Sequence, residues 1–507
     1  MHFLRSCGQS FRSTWADELR ILAKLAAPTV IQMATQEGMV LTDQLMVGHL
    51  GSDELAAAAL GNTWFNFWFY ILIGMSTAFD TLGSQAFGAK DMAAFWKSVV
   101  SAVVVLNILG IPMAVGLWFA EDVVRTVFRQ PEELAQMSGR FCRGLIPGIW
   151  PMLCGWVATK VLQTRGIMVP PAILGVVFFF ANIGLNVFFI DRLGFVGCPT
   201  ATTVTRFLQM VVSLLYVVYN ESSSSGPGCG MTVGSALREG TRWRAVGAFL
   251  ALGIPGGIML GLEASSFDIT TALAGLLGTV AVDAYTILNA VLAFAFLGCP
   301  FGLAVAGSMR VGNLLGSGDH KTARVTSFLT IAISALFMVG VSAALWLLRD
   351  KVGTWFVSDE RVVSAVAAVV PIMVPVEVFD GVQGACQGIL RGMGKQRLIL
   401  GFNVVGFWLG GMLPGYFLAF RLGLGLRGLL IGLASGIFCV ALLEFGCFLT
   451  TDMEKEARAA HARVKNFGSG EQGCSFAGGY EPLPEQESEP GEDGAAMAES
   501  PSAVFMP

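Results

Sequence analysis

The chain has 507 residues, 54% of them hydrophobic and only 13% charged, with a mean hydropathy of +0.66. Soluble domains carry roughly 25% charged residues, so this much apolar side chain excludes an ordinary water-facing surface and points to lipid. The formal net charge of −4 owes much to acids near the C-terminus, and without a basic excess nucleic acid is not an expected partner.

The opening MHFLRSCGQSFRSTWADELR has no apolar run of the cleavable-signal type, so residues 1–22 read as a cytoplasmic N-terminus and the first span as an uncleaved anchor. Twelve apolar stretches long enough to cross about 30 Å of hydrocarbon follow. They fall near 23–47, 56–81, 97–119, 140–162, 169–190, 198–219, 244–265, 282–306, 326–348, 364–388, 398–420 and 426–449. Lys and Arg of the connections, such as Lys90, Arg165, Arg238, Arg310, Lys321, Arg391 and Lys395, gather on one side. That bias exceeds about two to one and places both termini in the cytoplasm. The expected class is therefore an all-α polytopic membrane protein with twelve transmembrane helices.

The polar run NESSSSGPGCG divides the spans into an N-lobe over 23–219 and a C-lobe over 244–450, with 220–243 as cytoplasmic linker. The lobes read as repeats. Pro28 and Pro255 lie 227 positions apart by subtraction, FGAKD (87–91) answers LGSGD (315–319), LQTRG (162–166) answers ILRGMG (389–394), and LGFVG (193–197) answers LGLRG (424–428). Six spans per lobe preserve orientation, which gives a parallel repeat about an axis along the membrane normal and a central cavity near the midplane. Residues 451–507 form a cytoplasmic tail: DMEKEARAAHARVK suggests a short charged surface helix, and the acidic, Gly- and Pro-rich remainder is expected to be disordered. YEPL (480–483) has the form of a tyrosine sorting signal, a match common by chance.

Three apolar stretches carry conspicuous acids: Glu37 and Asp43 in TQEGMVLTDQLMVG, Glu263 and Asp268 in GLEASSFDITTALAG, and Glu377 and Asp380 in PVEVFDGVQGACQG. A charge at the centre of a bilayer costs roughly 2.5–3.5 kcal/mol, so such acids are expected to serve a function or to form structural ion pairs. Glu263 and Asp268 are five residues apart, or about 140° on a helical wheel, and are not expected to share a face. Asn182 and Asn186 are four apart and do share one, as ligands of a charge or as glue between helices.

The four histidines, His2, His49, His320 and His461, lie outside the spans, so a proton-driven cycle would have to use carboxylates. An ionised carboxylate in a low-dielectric cavity is relieved by a proton or by a cationic guest, and hardly by both. That exclusion is the physical basis of an antiporter. Phe267 and Tyr285 lie near the acids and could hold a lipophilic cation by stacking and cation–π contact, whereas the rings of NTWFNFWFYILIG read mostly as lipid-facing or interface aromatics. The ten scattered cysteines show no metal spacing and read as small buried hydrophobes. No cofactor and no metal are expected, nor is an enzyme, since no nucleophile constellation or phosphate loop occurs.

The stretches APTVIQMATQEGMVLTDQLMVGHLGSDELAAAALGN, GMSTAFDTLGSQAFGAKD, KVLQTRGIMVPP, NIGLNVFFI, PFGLAVAGSMRVGNLLGSGD and FDGVQGACQGILRGMGKQ together resemble the multidrug and toxic compound extrusion (MATE) family over about residues 20–450. The resemblance implies two six-helix lobes and export of organic, often cationic compounds driven by protons or sodium. It implies a coupling-ion role for Asp43, matching the first-helix Asp of bacterial members, with Gln36 and Gly38 around it and Asn182 and Asn186 opposite. Glu263, Asp268 and Asp380 fall on acids of eukaryotic members. Asp268 and Asp380 are one methylene shorter than the animal glutamates, Glu37 replaces a small residue, and the eighth span offers Asn289 where some animal members have an acid. Both lobes thus remain candidates for coupling.

The expected function is proton-coupled export of organic cations or amphiphiles, with Gln36, Glu37, Phe267, Tyr285 and Asn289 as substrate contacts and Pro28 and Pro255 as bend points. Sodium coupling, and plasma against vacuolar membrane, are left open, and a monomer is expected. Alternatives are a lipid-linked precursor flippase, which favours a cationic cavity; an exporter of organic acids such as citrate; a channel or receptor, which needs no repeat with an acid in each half; and a major-facilitator protein, whose basic loop signature is missing.

Overall fold

The structure, a computed structural model, describes residues 2–223 and 233–468; most of the inter-lobe run and the YEPL stretch lie outside the described residues. In chain order the helices are α1 His2–Gly48, α2 Ser52–Gly88, α3 Met92–Trp118, α4 Ala120–Thr126, α5 Glu132–Leu145, α6 Ile149–Thr164, α7 Val169–Leu193, α8 Gly197–Ser223 and α9 Val233–Gly240. The second half contains α10 Trp243–Leu276, α11 Thr279–Gly298, α12 Pro300–Gly316, α13 His320–Val352, α14 Glu360–Met393, α15 Gln396–Asn403, α16 Leu413–Tyr416, α17 Gly425–Thr450 and α18 Met453–Gly468. Among the described residues no strand occurs. Among the described residues nine helical stretches are long and apolar enough to cross a membrane, and one of them, Val169–Glu221, holds two successive spans, α7 and α8. The expected first and second spans lie in α1 and α2, whose polar side chains include Gln32, Gln36, Glu37, Asp43 and Asp80. The chain is an all-α, multi-pass membrane protein.

Several spans are less regular than their hydropathy suggests. The expected eighth span is two helices, broken where Pro300 follows Cys299, as a ring without an N–H dictates. The eleventh runs α15, a π-helical segment Val404–Met412, α16 and a second π segment Phe417–Arg421. Wide π turns are rare and concentrate at functional positions. Gly406 and Gly411 of the first π segment and Gly415 of α16 pack against the Gly432–Gly436 stretch of α17.

The repeat is visible in turn geometry. Asp91 caps α3 by accepting from the Ala94 N–H at 2.8 Å, and Asp319 caps α13 by accepting from the Thr322 N–H at 3.0 Å. The residue before each cap is left-handed, Lys90 with φ 58° and Gly318 with φ 84°. Gly166 (φ 78°) and Gly394 (φ 84°) occupy equivalent turns 228 positions apart by subtraction. In the first half one apolar core joins α2, α3, α5 and α6; in the second another joins α10, α11, α13, α14 and α17.

Helix α2 meets α10 and α12 along a seam of small residues. A Cβ on Gly74 would collide with the Gly256 carbonyl, and one on Gly88 with the backbone of Asn313, so the backbones touch directly. The seam closes one end of the bundle, called here the base, where α2, α12 and α14 finish and α10 begins. The base is also pinned by polar contacts. Glu18 of α1 takes a bidentate contact from Arg310 of α12, Nη2 at 2.5 Å and Nε at 3.2 Å, and a bond from Thr326 of α13 at 2.8 Å. Arg463 of α18 donates to Gln85 of α2 at 2.6 Å and to the Met393 carbonyl of α14 at 2.7 Å.

Candidate functional site

A cavity of about 250 Å³ opens among α1, α2, α10, α11, α12, α14 and α17. The period of α10 builds one wall. Leu260, Glu263, Ala264, Phe267 and Asp268 all line it, an i, i+3, i+4, i+7, i+8 stripe. Glu263 and Asp268 stand at the two edges of that stripe with Phe267 between them. They are about 140° apart on the helix, as the sequence indicates, yet both line this cavity because its wall is as wide as their angular separation. Glu377 and Asp380, three apart on α14, line a second wall, and Gln36 and Glu37 of α1 a third. Tyr285 and Asn289 of α11 complete the set named from sequence. Five carboxylates thus face one space, and none of its lining residues is Lys, Arg or His.

Glu263 is the best-held of the five. Gln387 Nε2 donates to it at 2.8 Å, Asn403 Nδ2 at 3.2 Å and Gln383 Nε2 at 3.4 Å. These amides come from α14 and from the end of α15, and Trp408 within the first π segment donates to the Leu262 carbonyl at 3.3 Å. Three neutral donors can hold a carboxylate in place without neutralising it, which leaves its charge for a guest. Among the described residues none of the five cavity acids has an ion-pair partner within 4.0 Å. Aromatic surface comes from Phe69, Tyr70, Phe267, Tyr285, Phe296 and Phe301. The Tyr285 hydroxyl donates to the Phe267 carbonyl at 3.4 Å, tying α11 to the wall that carries the acids.

Asp43 belongs to a different place. It lies two turns beyond Gln36 along α1 and does not line the cavity. Asn186 Nδ2 donates to its Oδ1 at 2.7 Å and Thr202 Oγ1 to its Oδ2 at 2.7 Å. Asn186 also donates to Asn182 Oδ1 at 3.1 Å, and both amides are fully buried. Arg206, whose guanidinium lies over the Phe65 ring at 4.9 Å, is the nearby cation, with no ion pair to Asp43. Pro28 and Pro255 sit inside α1 and α10, and Gly256, next to the second, forms part of the seam.

The structure adds residues beyond those the sequence motifs single out. Gln383, Gln387 and Asn403 look like ordinary interhelical polar residues until the fold brings them to one carboxylate. Two more buried acids lie in expected spans, Asp80 of α2 and Glu444 of α17, at 2% and 0% exposure. Asp80 pairs with Lys160 of α6. Both were detectable as isolated acids in apolar runs.

The MatE family model matches residues 28–188 and 255–417, once in each half. Protein DETOXIFICATION 37 of Arabidopsis thaliana is 29% identical over 88% of this chain and 88% of its own. Multidrug and toxin extrusion protein 1 is 29% identical in Homo sapiens and 30% in Xenopus tropicalis, over 86% and 84% of this chain and 75% and 74% of theirs. The crystal structure of the eukaryotic MATE transporter AtDTX14 superposes with a TM-score of 0.82 at 26% identity, covering 89% of this chain and all of that one.

Proposed function

The chain belongs to the MatE family of membrane transporters, and we propose that it is an antiporter expelling organic cations or cationic amphiphiles in exchange for protons. The observation that carries this reading is the cavity itself. Five carboxylates and several rings face one space without a basic lining residue, a setting that attracts a lipophilic cation and repels an organic anion or a phosphate headgroup. Glu263, with three amide donors and no ion pair, is the coupling group, and Asp268, Asp380, Glu37 and Gln36 set the charge and polarity around the guest. Phe267, Tyr285 and Asn289 supply its contact surface. Asp43 with Asn182 and Asn186 is a second, N-terminal site for the coupling ion.

The cycle follows from exclusion. A proton arriving at Glu263 removes the charge that held the cation, and the cation leaves. Loss of the proton on the opposite side restores the site. Each pH unit supplies about 1.4 kcal/mol, a roughly tenfold concentration ratio for one-for-one exchange. The seam and the Glu18–Arg310 pair close the base in the state described here, and bending at Pro28 and Pro255 accompanies its opening. We place both termini in the cytoplasm, the chain as a monomer, and the protein in a plasma or vacuolar membrane.

The test is transport by purified protein in liposomes, with tetraethylammonium and citrate as alternative cargoes under imposed pH or sodium gradients. Tetraethylammonium should move against an opposing proton gradient, and Glu263→Gln should abolish that accumulation. Transport of citrate alone, sodium-driven movement alone, or an unaffected Glu263→Gln would each overturn the assignment.

A further inference from the structure

We infer that Glu444 is a second proton-binding carboxylate, which passes the exchanged proton between Glu263 and the base of the bundle while sharing Arg391 with it as counter-ion. The inference rests on the antiport reading above and adds a site to it. Glu444 lies on α17, six residues before the helix ends at Thr450, about 9 Å from that end. Arg391 is two residues from the base end of α14. Glu263, by contrast, is twenty residues into α10, counted from Trp243 at the base. Arg391 and Glu444 therefore lie between the cavity acid and the base.

Both side chains are buried, Glu444 at 0% and Arg391 at 2% exposure. Neither carboxylate oxygen of Glu444 has a hydrogen-bond partner, and Nη2 of Arg391 has none either. A buried carboxylate with no donor costs far more when ionised than when protonated. The charges confirm a shortfall. Arg391 lies within electrostatic reach of Asp80, Glu263 and Glu444, but Lys160 already neutralises Asp80. One guanidinium is left for two carboxylates, and a single proton balances the group. It can reside on Glu263 or on Glu444. Gln387 joins Glu263 to Arg391: its side-chain amide donates to Glu263 at 2.8 Å, and its main-chain carbonyl accepts from Arg391 Nε at 3.3 Å. The other titratable neighbours are the thiols of Cys386 on α14 and Cys447 on α17 itself.

In the step itself the proton leaves the carboxyl of Glu263, Arg391 shifts its attraction to the carboxylate so formed, and Glu444 takes up the proton before releasing it at the base. The test uses Glu444→Gln, which keeps size and cannot ionise, in the full chain reconstituted in liposomes. A gradient of one pH unit should sustain a roughly tenfold tetraethylammonium ratio in the parent. In Glu444→Gln the ratio should fall to one, while exchange of labelled for unlabelled tetraethylammonium persists; Glu263→Gln should lose both. Glu444→Asp, which retains an ionisable group, should recover accumulation. Infrared difference spectra between acidic and alkaline buffer should lose one carboxylic C=O band in Glu444→Gln. Parent-like accumulation by Glu444→Gln overturns the inference and leaves the antiport reading standing. So does an unchanged infrared spectrum, or loss of exchange in both Glu444 variants, which would make the residue a packing element. Absence of pH-driven accumulation in the parent overturns the antiport reading, and this inference with it.

Discussion

A carboxylate on an apolar helix is readable from sequence; the groups that hold it are not. Glu263 stood out because the cost of placing it in lipid is large, and Asp43 did for the same reason. Gln383, Gln387 and Asn403 carry no such signal, since a buried amide is equally at home as interhelical glue. Thr202, which donates to Asp43, is equally silent. Glu444 was legible by the same rule as Glu263, yet a lone acid near a helix end reads as part of a loop. The N-terminal carboxylate offers a direct test of how such holders act. Asn186→Leu deprives Asp43 of a 2.7 Å donor, and a hydrogen bond to a charged group is worth about 1.5–3 kcal/mol. Its thermal midpoint in detergent should fall. Combined with Asp43→Leu, the loss should be clearly less than the sum of the two single effects, and strict additivity would show that the bond contributes nothing.

At the scale of helices, the boundaries of most spans and the spacing of the repeats were legible because hydrophobic length and turn chemistry are local properties. The break at Cys299–Pro300 had a local cause too. The first π segment did not, since its Gly406 and Gly411 pack on α17 in a tertiary contact. The α2 seam is likewise tertiary, and it makes a sharp prediction. Gly88→Val places a branched side chain against the Asn313 backbone, which cannot yield, so the closed base should be disfavoured. In a cysteine-free background, Ser84→Cys, buried in the seam at 0% exposure, should resist maleimide in the parent and react in the Gly88→Val variant. Equal protection in both would mean that the seam opens without separating these backbones.

Helix α9 offers a pH test outside the membrane. The Lys97 ammonium beside Glu239, at 2.5 Å, holds its carboxyl below the usual glutamate range. A depressed folded-state pKa contributes stability that is complete above the unfolded value, about 4.3, and is lost as pH falls through the lower folded value. The Glu239 contribution to hydrogen-exchange protection at Leu237–Gly240 should therefore begin to fall below about pH 4.3 and be gone below the folded value, and Glu239→Gln should remove that dependence.

For the whole molecule, twelve spans in two like halves followed from composition and from one recurring offset, and the family model matches each half. What no pattern revealed was the division of labour. The acids of the second half converge with Glu37 on one cavity, whereas Asp43 stands apart in the first half with its own amides. On this reading the cavity carboxylates accept either a proton or an organic cation. Proton release on cargo binding measures this without transport: tetraethylammonium titrated into purified protein, in calorimetry buffers of differing ionisation enthalpy. Near neutral pH, binding should expel protons, up to one for each cation bound, and Glu263→Gln should abolish the release. Cation binding with no proton displaced at any pH would contradict it.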